Sequence, residues 1–165
     1  MRLQTSLLLD HAVTIIAVAL ETARAESMLP MTVVVLDAGG RLVASQSEDG
    51  SGLMRFDIAR GKAWGALGMG MSSRLIRDRL ASRPSFQAAL GTAAEGKFIP
   101  VPGGVLIENA DGIVIGAVGI SGDTSEKDEY CAILAIAAAG LASEPRTADP
   151  NWRESSLSGA TAPAS

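Results

Sequence analysis

Three groups of residues in this chain have types and spacing that suit chemistry. The first is Gly116-Ala117-Val118-Gly119-Ile120-Ser121-Gly122-Asp123-Thr124, followed by Ser125, Glu126, Asp128 and Glu129. It runs from a β-branched, glycine-rich strand into a helix start, with Gly122 free to take a positive φ. Thr124 or Ser125 can cap a helix predicted from Asp128 to Leu141, and unpaired N–H groups at such a junction attract anions. Four acids (Asp123, Glu126, Asp128, Glu129) compete for that positive end, so the stretch reads either as a self-capped turn or as a ligand turn. The second group is Lys62 with Arg60, set against the punctuated loop Pro102-Gly103-Gly104. Lys62 can clamp a carboxylate, glycine N–H groups can stabilise an oxyanion, and Asp123 or Glu126 can move a proton where burial raises its pKa. That set suits cofactor-free proton transfer, isomerisation or decarboxylation of a small organic acid. The competing reading of Lys62 is a solvated or paired helix residue, with Asp57 or Asp49 as partner. The third group is the single histidine, His11, with the single Tyr130 and Cys131.

Several chemistries are excluded or poorly supported. There is no G-x-S-x-G elbow for a serine hydrolase, and one His with one Cys cannot close a tetrahedral zinc site within one chain, so no metal centre is expected. A net charge of −4 and a pI near 5.0 leave no basic footprint for nucleic acid. No apolar run is long enough to span a bilayer. Cys131, inside a predicted helix, reads as an inert buried thiol suited to a reducing compartment.

The elements that must position these groups follow from periodicity. Leu8, Leu9, Ala12, Ile15, Ile16, Ala19, Leu20 and Ala23 trace an apolar helix face. Asp10, His11 and Glu21 interrupt what would otherwise imitate a secretory leader, so an amphipathic first helix in a cytoplasmic protein is expected. Met31–Leu36 and Arg41–Ser45 flank Asp37-Ala38-Gly39-Gly40 as a hairpin, and Val105–Glu108 and Ile113–Ile120 flank Asn109-Ala110-Asp111-Gly112 as another. Helical spacing between them covers Leu53–Gly68, Arg74–Ala81 and Pro84–Leu90. Two hairpins separated by helices favour an α+β fold with an antiparallel sheet over a parallel one. Residues 1–144 form one domain. The Ser/Ala/Gly/Pro-rich 145–165 reads as an extended or disordered arm, with Trp152 poised to dock on the domain or on a neighbouring subunit.

Taken in order, Val35-Leu36-Asp37-Ala38-Gly39-Gly40-Arg41-Leu42-Val43, Asp49-Gly50, Asp57-Ile58-Ala59-Arg60-Gly61-Lys62-Ala63, Pro102-Gly103-Gly104 and Gly116–Thr124 with Asp128-Glu129 resemble the GlcG/HbpS haem-binding family, which includes the C-terminal domain of PduO-type proteins. The chain departs from that pattern at Glu48-Asp49-Gly50-Ser51, where the family often has Met-Asp-Gly-Ala, and at Met71-Ser72-Ser73, where a Pro-Thr often follows the second helix. The resemblance implies a central antiparallel sheet of about five strands flanked by helices, a homo-oligomer, and a small anionic ligand, with haem as the candidate cofactor. Its members include haem binders and proteins of catabolic gene clusters. His11 is then a candidate axial ligand, as is common for haem iron. Gly103, Gly104, Ser121, Gly122 and Thr124 are candidate contacts to a propionate or carboxylate. Three functions stay open: a small-ligand binder, a cofactor-free enzyme using Lys62, Asp123 and Glu126, and an assembly subunit. The first two share a site where the Lys62 helix, the Pro102-Gly103-Gly104 loop and the Ser121–Thr124 turn converge.

Overall fold

The computed structural model describes residues 4–157. Its elements, in chain order, are α1 (Leu9–Ala25), β1 (Thr32–Asp37), β2 (Leu42–Ser47), α2 (Arg55–Met69), α3 (Ser73–Leu80), α4 (Pro84–Ala93), β3 (Gly104–Glu108), β4 (Val114–Ser121), α5 (Ser125–Ala138), β5 (Ala142–Glu144) and a single 3-10 turn, Trp152–Glu154. The five strands form one sheet in the order β2-β1-β4-β3-β5, every neighbouring pair antiparallel. Both expected hairpins are present, with Val35 opposite Ala44 and Val105 opposite Val118.

Each face of this sheet is covered. Val33, Val35, Val105, Ile107, Val118 and Ile120 pack beneath α1 and α5, while Val34, Leu36, Leu106 and Ala117 pack on Ala59, Ala63 and Ala66 of α2. Alternate residues of a strand point to opposite faces, so central strands buried on both read as continuous apolar runs. That explains Val33–Leu36. α3 and α4 stand to one side of α2 around a small cluster of their own, Ile76, Leu80, Ala94 and Phe98.

Local details differ from the sequence reading. α5 begins at Ser125, three residues early, because Thr124 is the N-cap and its hydroxyl accepts the Lys127 amide. The chain from Ala142 to Glu144, just past the expected helix end and assigned to no element, is the fifth strand on the edge of β3. From Pro145 to Leu157 the arm runs along the domain. Trp152 is buried and stacks on Tyr130 at 3.8 Å between ring centroids, and Arg153 pairs with Glu26 at 2.7 Å. Residues 158–165 of the expected arm lie outside the described residues. No helix among the described residues is long and apolar enough to cross a membrane.

Candidate functional site

The three expected segments do converge. α2 lies across β4, and Lys62, only 1% exposed, carries its ammonium to the far end of that strand. Its Nζ donates to Asp128 Oδ2 at 2.7 Å and to the Ile120 carbonyl at 2.9 Å. The partner therefore is Asp128, sixty-six residues away, and not Asp57 or Asp49. Gly103 closes the junction from the third side. It sits at φ +111°, and a Cβ there would lie 2.9 Å from Lys62 Nζ and 3.0 Å from the Ile120 carbonyl oxygen. A side chain at Gly104 would run into the Lys62 carbonyl, and its amide donates instead to Ser73 Oγ at 2.8 Å. The Pro102-Gly103-Gly104 motif is thus the condition for bringing loop, α2 and α5 into contact.

The turn after β4 is equally occupied. Asp123 accepts the Leu29 and Thr124 amides and the Lys127 ammonium, while its own amide donates to Asp128 Oδ1. Burial pulls the Asp123 pKa upward, but these hydrogen bonds and Lys127 outweigh it and hold the carboxyl below its ordinary value. Ser121 Oγ accepts from Arg55 at 3.1 Å, Gly122 packs against Pro30 and Met31, and the Thr124 hydroxyl also meets Ser155. Glu126 lies toward α3, with Arg77 at 3.3 Å. Lys62, Asp128, Gly103, Gly104 and Asp123 therefore form one closed ionic junction; Glu126, Ser121 and Thr124 face its edges.

Burial dominates the electrostatics. It pushes Asp128 up to about 6, because the lost hydration outweighs the pull of Lys62, the Asp123 amide and the more distant Arg55. The neighbouring Glu129, 0% exposed, has no hydrogen-bond partner for either carboxylate oxygen, and burial pushes it up to about 7 against Arg74, 3.4 Å away. Sequence reasoning treated Asp128 and Glu129 as first-turn acids serving the helix dipole. A helix places successive residues about 100° apart, so one faces Lys62 and the other faces α3; nothing local in the sequence announces either partner. Cys131 is buried and its thiol is pushed up to about 12, which makes it unreactive.

His11 is remote from this junction in the fold: it belongs to α1, on the opposite face of the sheet from α2. Its ring is half-buried and Nδ1 is buried with no hydrogen-bond partner. Haem demands an axial donor and an apolar surface. His11 has an uncommitted ring, and the exposed N-cap Leu8 lies on its side of α1, whereas the exposed Leu9 and Val13 lie nearly opposite. The imidazole fits as an iron donor, with Leu8 as its apolar neighbour on α1. Two clefts beside Trp64, one between α2 and α4 and one against Gly39 and Gly40, hold about 180 Å³ each and are too small for a porphyrin.

Residues 7–137 match the family described as haem-degrading protein HbpS-like. The chain is 31% identical over 120 residues to the corrinoid adenosyltransferase PduO of Salmonella typhimurium, covering 73% of this chain and only 35% of that protein. It therefore spans about a third of that relative's length. It is 32% identical over 120 residues to a 15.0 kDa protein of Citrobacter freundii encoded between dhaT and dhaS, covering 83% of it. Among solved structures, a PduOC–haem complex superposes with a TM-score of 0.75 at 28% identity, covering 84% of this chain and 98% of that one.

Proposed function

The chain belongs to the HbpS-like family, and from that membership we propose that it binds haem, with His11 as the axial ligand. The observation that carries the reading is the likeness, over 84% of the chain, to a protein solved with haem. His11 supplies what the fold alone does not: a half-buried imidazole with no hydrogen-bond partner among the described residues. When bound, haem supplies the iron chemistry; the chain's own part is to offer the imidazole and an apolar surface to the ring. On this reading the protein is a cytoplasmic homo-oligomer that acts on a small anionic ligand and on neither membrane nor nucleic acid, and its exposed Leu8, Leu9 and Val13 are covered by haem or by a second copy. Haemin titration of the full chain tests it. The expected result is a saturable Soret shift that is lost or displaced in His11→Ala. An unchanged spectrum in that variant removes His11 as ligand.

The second reading is a cofactor-free enzyme of a catabolic pathway acting on a small organic acid through Lys62, Asp123 and Glu126, with Gly103, Gly104, Ser121, Gly122 and Thr124 around the substrate. The convergence of Lys62, Gly103 and Asp128 supports it. It requires the junction to open, because the Lys62 ammonium already serves Asp128 and Ile120. Exchange of the C3 protons of small 2-oxo acids in D2O, followed by NMR, is its direct measurement; no exchange above buffer ends it.

A further inference from the structure

The cleft around Trp64 is outside both readings. Trp64, Gly65, Gly68, Met69, Leu90 and Phe98 line a space of about 180 Å³ between α2 and α4. On its other side the same indole, with Gly68, walls a second space of about 180 Å³ against Gly39 and Gly40. An apolar cavity of about 150 Å³ accommodates one benzene ring, so either space suits a single ring. Two aromatic walls and the Met69 thioether favour an aromatic occupant.

Two further observations narrow the chemistry. Gly65 is explained by packing, since a Cβ there would lie 3.1 Å from the Phe98 ring. Gly68 is not. It lies in the last turn of α2, and a Cβ there would meet only the Trp64 ring, at an ordinary 3.8 Å. Alanine is the better helix former, so packing gives no reason for a glycine on the floor shared by both spaces. A cation stands near the cleft without lining it: Lys97 Nζ is 5.9 Å from the Trp64 ring centroid and is paired with the exposed Glu95 at 3.0 Å, a surface pair weak enough to exchange for another carboxylate.

We infer that the Trp64 cleft is a binding site for a small planar aryl carboxylate, its ring held between Trp64 and Phe98 above Gly68 and its carboxylate at Lys97. The ligand stays distinct from haem, because α1 and His11 are on the other side of the sheet.

The test uses the full chain, with benzoate as probe and benzyl alcohol and cyclohexanecarboxylate as controls, read by the indole N–H resonances of Trp64 and Trp152. Benzoate should shift Trp64 saturably in the millimolar range and leave Trp152 still. Both controls should bind about tenfold more weakly, one lacking the charge and the other the flat ring. Lys97→Ala should erase the preference for benzoate over benzyl alcohol. Gly68→Ala should fold with a raised Tm and lose benzoate binding, whereas His11→Ala should bind it normally. No saturable shift, equal binding of benzyl alcohol, or undiminished binding by Gly68→Ala each overturns the inference. A Trp64 resonance that moves with protein concentration and ignores benzoate does so too, since it makes the cleft a contact between copies.

Discussion

Lys62 and Trp64 are two residues apart on α2 and face away from each other, and the regions they head are opposites. At Lys62 every approach is filled: the ammonium bonds Asp128 and Ile120, and Gly103 and Gly104 bring the backbone within contact. At Trp64 the walls are apolar, the floor is a glycine that packing does not demand, and space remains. The motif-dense region is the closed one. Glycines and charges clustered in sequence mark where three segments must touch, and such contact consumes the donors a ligand would need.

The sharpest way to break this contrast is Lys62→Ala. It leaves Asp128 buried without its cation, and the expected loss is about 4 kcal/mol in urea unfolding. The double replacement Lys62→Met with Asp128→Leu should recover most of it, because two apolar groups leave no uncompensated charge. A loss below about 1 kcal/mol in Lys62→Ala, the range of a surface pair, would place the junction in water and remove the contrast.

Glu129 gives the next largest effect, through pH. Its folded pKa is raised from 4.5 to about 7, so the native state holds the proton more tightly than the unfolded chain. The stability this confers is complete below pH 4.5 and is lost as pH rises through about 7. The shift corresponds to roughly 3 kcal/mol. Asp128, raised from 3.8 to about 6, acts in the same direction at lower pH. Stability measured from pH 4 to 8 should therefore fall in the wild type and fall by roughly half as much in Glu129→Gln. Equal slopes would mean that Glu129 reaches solvent.

The smallest effect has the opposite sign. Gly68→Ala should stabilise the chain by about 0.5 kcal/mol, because alanine loses less conformational freedom in a helix and the site has room for a methyl group. Gly119→Ala is the contrasting case: its methyl would meet the Ala59 carbonyl, and a loss of about 3 kcal/mol is expected as α2 is pushed off β4. Thermal unfolding of the two variants side by side separates a glycine that packing requires from one that it does not.

Much of the architecture was legible in the residue order. Val33–Leu36, Val105–Glu108 and their turns specify two antiparallel hairpins because alternation and glycine placement act over a few residues. The apolar stripe of α1 specifies its buried face for the same reason. Short-range signals failed where the deciding contact was distant. Ala142–Glu144 is a strand only because the edge of β3 is there to receive it, and of the two docking places open to Trp152 it was Tyr130 of the same domain that offered the ring. The candidate residues Lys62, Gly103, Gly104 and Asp123 could be named from their types and expected to meet. That Asp128 and not a nearer acid takes Lys62, that Glu129 has no hydrogen-bond partner, and that Trp64 stands beside open space were decided by packing alone. Chain-local propensities reach one turn or one hairpin, whereas burial and charge pairing depend on which surfaces the folded chain presses together.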